Sequence, residues 1–230
     1  MNTCLVVPLG LVDFQTAYDL QRLLHARVVA GELPDLLLLL EHPHVYTLGR
    51  RGQESDVLAS KDMLSRLGVD TQLADRGGET TYHGPGQLVG YPIVNLRRLG
   101  VGVRQYVETL EQVLIRALSE FGIAAHSEGK PTGVWVGDSK IAAIGVRVSR
   151  GVTMHGFALN VSPDLSFFEH IVPCGMPGVS VTSMSQELGS DVAVSDVMPA
   201  LAREFASEFG VAVEWSGLDA LASAAATITT

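Results

Sequence analysis

Twelve residues from Arg76 to Gln87 hold four glycines and a proline around an arginine and a histidine. Glycine reaches φ > 0 and lets backbone approach a ligand closely, so a run this rich in it, with Arg76 and His83 inside, points to a binding surface. A second irregular segment runs Ile171-Val172-Pro173-Cys174-Gly175-Met176-Pro177-Gly178. Prolines and glycines hold Cys174 in a loop from which a thiol can reach a pocket. Cys4 reads as an ordinary buried cysteine. A free thiol has a pKa near ~8.5, so a nucleophilic Cys174 needs a base or a cation beside it. The candidates are His83, His155, His42 and Lys140. A Cys–His pair is the commoner arrangement in thiol hydrolases. Lys140 heads the apolar segment Ile141-Ala142-Ala143-Ile144-Gly145, where partial desolvation favours a neutral amine able to take the thiol proton. The residue types leave the choice open.

Helices and strands must bring these segments together. Leu5–Val7 predicts a short strand, and Asp13 caps a predicted helix running to about Gly31. Leu36–Leu40 is too short for a helix and reads as a buried strand ending before Pro43. Ser60–Leu67 predicts a short helix stopped by Gly68. The glycine-rich run Arg76–Gln87 is expected to be neither packed helix nor central strand. Gln87–Asn95, Ile141–Ser149 and Val152–Val161 read as strands, the last two a hairpin around Arg150–Gly151. Val103, Val107, Leu110, Leu114, Ala117, Leu118 and Phe121 recur at helical spacing, with Gly122 as the stop. Ser180–Leu188 and Ser195–Phe209 read as helices, Val211–Trp215 as a strand. Without a regular βαβ rhythm the class is α+β, one domain over 1–215, with an Ala/Ser/Thr-rich tail over 216–230 expected to be loosely held.

The composition excludes several functions. Of the 230 residues 47% are hydrophobic and 18% charged, enough for a substantial core. The net charge of −9 opposes binding of nucleic acid or an anionic membrane by the chain as a whole. Small basic groups remain at Arg50–Arg51, at Arg97, Arg98 and Arg104, and at Lys140, Arg147 and Arg150, ordinary surface in the simplest case. The longest aliphatic run, Leu36 to Leu40, is far short of the ~20 residues of a membrane span. Two cysteines 170 positions apart make neither a disulfide framework nor a zinc site, so no metal is expected. No basic residue precedes Arg22, which argues against a secretory signal and for a cytoplasmic protein with reduced thiols. Gly84-Pro85-Gly86-Gln87-Leu88-Val89-Gly90 is not a dinucleotide fingerprint, because its spacing is wrong and a strand-like segment follows. A P-loop motif is also missing.

Taken together, Arg76-Gly-Gly-x-x-Thr-Tyr-His83-Gly-Pro-Gly-Gln87, Lys140-Ile-Ala-Ala-Ile-Gly145, His155-Gly-Phe-Ala-Leu-Asn160 and Pro173-Cys174-Gly175 resemble the octanoyltransferases of lipoate biosynthesis. Glu41-His-Pro-His-Val-Tyr-Thr-Leu-Gly-Arg50 fits the same family. The resemblance runs from about Leu5 to about Trp215 and leaves the tail outside. It implies the fold of the biotin and lipoate protein ligases, a mixed sheet surrounded by helices. It implies transfer of an octanoyl group from octanoyl acyl carrier protein to a lysine of apo lipoyl domains, those of 2-oxoacid dehydrogenase complexes and the glycine cleavage H protein. Cys174 would carry the acyl group as a thioester and Lys140 would lower the thiol's pKa. The substrate pocket would involve Arg76, Gly77, Gly78, Glu79, Thr80, Thr81, Tyr82 and His83, with Ala143, Ile144, Gly145, Gly156, Phe157 and Ala158. No cofactor is implied, and a monomer is the default.

The chemistry is self-consistent. Acyl exchange between thiols is nearly neutral and thioester to amide is downhill, so no ATP is required and the kinetics would be ping-pong. An eight-carbon chain needs an apolar tunnel, for which Ala142, Ala143 and Gly145 leave space. His83 would position either the acyl carbonyl or the arriving amine. An acidic carrier calls for a basic patch near the thiol, for which Arg147 and Arg150 are the candidates. Two rivals remain: an ATP-dependent ligase on the same fold, which needs a lysine but no nucleophilic cysteine, and a non-catalytic acyl-binding module indifferent to Cys174→Ala.

Overall fold

A computed structural model describes residues 2–172 and 178–219. Cys174 with its Pro173 and Gly175 neighbours, and the tail from 220 onward, lie outside the described residues. In chain order the elements begin with β1 (Thr3–Leu11), α1 (Phe14–Ala30), β2 (Asp35–Glu41), β3 (Val45–Leu48), α2 (Lys61–Leu67) and β4 (Asp70–Leu73). Then come β5 (Thr80–His83), β6 (Gln87–Ile93), α3 (Leu96–Leu99), α4 (Val103–Glu120) and β7 (Val134–Val136). The chain continues through β8 (Ser139–Ser149), β9 (Val152–Asn160), α5 (Met184–Leu188), α6 (Val194–Phe209) and β10 (Ala212–Trp215).

The helices start and stop where local chemistry dictates. Asp13 accepts a hydrogen bond from Thr16 N at the head of α1, and Gly31 closes it in the left-handed region at φ 78. Among the described residues, seven strands form one mixed sheet in the order β10-β1-β2-β6-β9-β8-β7. β2 sits between a parallel β1 and an antiparallel β6, which is why its five leucines are all buried. Leu36, Leu38 and Leu40 pack under α1 with Leu24 and Val28. Leu37 and Leu39 face the opposite core with Leu110 and Leu114 of α4 and Leu201 and Phe205 of α6. Each such leucine contributes roughly 1.5–3 kcal/mol. Helices therefore cover both faces of the mixed sheet, as the α+β expectation has it.

A second sheet, β4-β3-β5, holds β3 parallel to β4 and antiparallel to β5. The Thr80–His83 portion of the glycine-rich run is its buried edge strand, so the run holds neither a packed helix nor a central strand, as expected. A correction concerns Ser180–Leu188. Only Met184–Leu188 is helical, with Ser183 as N-cap. Val181 is instead a parallel bridge partner of Lys140, with Lys140 N donating to Ser180 O (2.8 Å) and Thr182 N to Lys140 O (3.0 Å). Backbone pairing with β8 outweighs helix propensity there. No helix among the described residues is long and apolar enough to cross a membrane.

Candidate active site

A cleft opens between the small sheet and β8–β9, with about 480 Å³ of free space including its mouth. Arg76, Gly77, Gly78, Glu79, Thr81 and His83 line one side, and Ala143, Ile144, Gly145, Gly156, Phe157 and Ala158 the other. Ala143 pairs with Ala158 and Gly145 with Gly156 across the β8–β9 ladder, so small residues face each other on adjacent strands. Gly145 has a steric reason: a Cβ there would meet Gly77 O at 2.9 Å, and Gly77 N donates to Val146 O (2.9 Å). The glycine-rich loop thus lies directly on β8. Thr80 and Tyr82, also expected at the pocket, face away because successive strand residues alternate. Thr80 Oγ1 donates to Asp56 (2.8 Å), while Tyr82 stacks on Phe167 and bonds His44. His155 lines the cleft too, as do Phe14 and Tyr91. Nothing in the local sequence of the last two singles them out, since only the packing of α1 and β6 brings them there.

Arg76 is a brace. Its Nη1 donates to Glu79 O (2.9 Å) and Gly77 O (3.2 Å), its Nη2 to Thr47 O (2.8 Å) and Thr47 Oγ1 (2.7 Å). It shapes the loop that forms the cleft wall. His155, a candidate activator on sequence grounds, donates through Nε2 to Asp75 (2.8 Å) and is 1% exposed. Hydrogen bonding by His155 holds the Asp75 carboxyl well below the usual range, helped by Tyr18 and by Arg147, which is paired with the same carboxylate. Burial keeps His155 itself below its ordinary pKa.

His42, a further candidate, is fully buried. Its Nδ1–H donates to Val12 O (2.6 Å) and its Nε2 accepts from Tyr91 OH (2.7 Å). Burial pulls its pKa from 6.5 down to about 4. Between those values the unfolded chain binds the proton and the folded one does not, so stability falls as pH drops from 6.5 towards 4, by about 3 kcal/mol for this group. Urea unfolding across that window is expected to show the slope, and His42→Asn to flatten it. An unchanged slope in the variant would remove His42 as its source.

Lys140 lies in an adjoining pocket with Thr81, Gln87, Ala142, Ala143, Ala158, Asn160, Phe168, Val179 and Val181. Thr81, Ala143 and Ala158 line both cavities, so the two are contiguous. The lysine is 7% exposed, with Nζ 5.3 Å from the centroid of the Trp135 ring. Phe168 precedes Cys174 by six positions and Val179 follows it by five. The chain on either side of the Cys174 segment is thus anchored in the wall of the Lys140 pocket.

The mixed sheet flanked by helices is the fold of the lipoate protein ligases. A bipartite lipoate protein ligase from Thermoplasma acidophilum superposes with a TM-score of 0.73 over 99% of this chain and 92% of that one, at 16% identity. The lipoyl protein ligase A/B catalytic-domain model matches residues 13–206. An octanoyltransferase from Solibacter usitatus is 51% identical over 91% of this chain and 94% of its own length. One from Gloeobacter violaceus is 48% identical over 96% of each. The chain belongs to the lipoyl protein ligase A/B catalytic-domain family, among the relatives that are octanoyltransferases.

Proposed function

We propose that the protein transfers an octanoyl group from octanoyl acyl carrier protein to a lysine of apo lipoyl domains, through a thioester on Cys174. The observation that carries this reading is the Lys140 pocket, walled by residues from both flanks of the Cys174 segment and open to an apolar cleft. The names of the relatives support the octanoyl group. Lys140 takes the thiol proton, and the Cys174 thiolate attacks the carrier thioester. The C–S bond of the carrier breaks, and its thiolate leaves with that proton. The acceptor amine then displaces Cys174 and forms the amide. Cleft residues from Arg76 to Thr81 and from Gly156 to Ala158 enclose the acyl chain.

Mass spectrometry of the intact protein mixed with octanoyl acyl carrier protein, without ATP, tests this. One thiol-labile octanoyl adduct on wild type and none on Cys174→Ala is the expected result. An adduct that forms only with ATP and free acid would establish the ligase alternative instead.

Carrier docking belongs to the same reading. Arg147, expected to help hold the carrier, is paired with Asp75. The same groove carries Arg22 and Arg150, beside His25 and Ser149. In a chain of net charge −9 this is a local basic surface suited to an acidic carrier. Arg22→Glu with Arg150→Glu is expected to raise KM for the octanoyl carrier about tenfold, with kcat on a small octanoyl thioester within a factor of about two. Equal effects on both donors would sink the docking role.

A further inference from the structure

His83 lines the cleft on β5, 6% exposed, its ring stacked on Phe14 and edge-on to His42. Its protonation is dictated by a chain of oriented amides. Gln87 Nε2 lies 3.2 Å from Tyr82 O, and Asn160 Nδ2 lies 3.0 Å from Thr182 O. A backbone carbonyl can only accept, so each amide must turn its NH₂ to that carbonyl. Asn160 Oδ1 then accepts from Gln87 Nε2 (3.0 Å), and Gln87 Oε1 is left facing His83 Nδ1 at 2.7 Å. Oε1 has no proton to give. His83 therefore carries its hydrogen on Nδ1, and Nε2 presents a lone pair. No described group bonds Nε2, and the ring opens on the cleft.

A lone pair at Nε2 repels a thioester carbonyl oxygen and cannot stabilise an oxyanion. It matches an N–H. Resting on the acyl-enzyme reading above, we infer that His83 Nε2 accepts a hydrogen bond from the incoming acceptor amine and aims its lone pair at the thioester carbon. In that step the amine nitrogen forms the C–N bond, and the C–S bond breaks with its electron pair left on the Cys174 sulfur. The surplus N–H proton passes to that sulfur, restoring the thiol. Burial and the nearby His42 and Arg76 hold the His83 pKa well below its ordinary value, so the ring stays neutral and acts as an acceptor. Gln87 lines the Lys140 pocket while bonding His83, which ties the ring's orientation to the reacting centre.

Two measurements test this. Nitrogen-detected NMR of the histidine rings in the wild-type protein, with His83 assigned by its loss in His83→Asn, is expected to show the Nδ1–H tautomer at neutral pH. His83→Asn keeps an amide N–H near the Nδ1 position and removes Nε2. In single-turnover kinetics its transfer to an apo lipoyl domain should fall about 10- to 150-fold more than its acylation by octanoyl carrier, the effect of losing one hydrogen bond to a nitrogen that gains positive charge as the C–N bond forms. An Nε2–H tautomer, or equal losses in both half-reactions, would overturn the inference. A wild-type protein that forms no octanoyl adduct overturns the acyl-enzyme reading beneath it, which separates the two failures.

Discussion

Lys140→Ala is expected to form the octanoyl-enzyme about 10²- to 10⁴-fold more slowly than wild type at pH 7, the usual contribution of a positioned base. The site gives the lysine one setting. It is 7% exposed, its Nζ lies over the Trp135 ring, and its backbone is clamped by Ser180 and Thr182. Lys140→Arg separates charge from proton transfer. Guanidinium keeps the positive charge but cannot accept a proton, so it should recover little of the lost rate. Raising the pH should narrow the gap between the alanine variant and wild type. Solvent supplies the thiolate once pH approaches the ~8.5 of a free thiol. Rapid-quench mass analysis of the adduct between pH 6 and pH 9.5 measures all three. An alanine variant as fast as wild type at pH 7 would remove Lys140 from the mechanism.

What the sequence displayed and what it hid divide along physical lines. Leu36–Leu40 announced a strand buried on both faces because nothing polar interrupts it, and β2 lies inside the sheet, between β1 and β6. The β8–β9 hairpin was legible from Arg150–Gly151, two residues with positive φ between apolar runs. The small sheet was not legible. Each of its strands has four residues, and β5 lies between glycines that leave no alternating pattern to read. Segment 180–183 misled for a different reason. Its pattern suits a helix, but the unsatisfied edge of β8 at Lys140 captures its backbone. At the site, the motif residues mark the cleft walls, yet sequence could not rank the candidate activators of Cys174. Asp75 engages His155, and Val12 with Tyr91 engages His42. Those bonds join residues 30 to 80 positions apart, so no local pattern reveals them.

Gly133 connects the fold to the chemistry, and Gly133→Ala carries the second large expectation. Gly133 sits at φ 136, a conformation that strains any residue with a Cβ. An added Cβ would lie 2.4 Å from Lys140 Cε and 2.7 Å from Ala142 O. Ala142 is register-locked to Val134 across β7 and β8, so its carbonyl cannot give way. The lysine stem must move. Glu111 resists a retreat of Gly133, because its Oε1 accepts the Gly133 N–H at 2.9 Å. Burial raises the Glu111 pKa and Lys140 opposes that rise, which places the two side chains in one electrostatic neighbourhood. Gly133→Ala should therefore cost about 1–3 kcal/mol from strain and overpacking, and lower Tm by about 2–4 °C for each kcal/mol. Octanoyl-enzyme formation well below Tm should fall at least about tenfold, because a displacement on the order of 1 Å of a catalytic group is costly. Gly137→Ala separates strain from displacement. Gly137 also has positive φ, 55, but nothing lies within 4 Å of its missing Cβ. That variant should lose stability and keep its acylation rate. Should Gly133→Ala acylate as fast as Gly137→Ala, the closeness of Gly133 to Lys140 would have no part in the reaction.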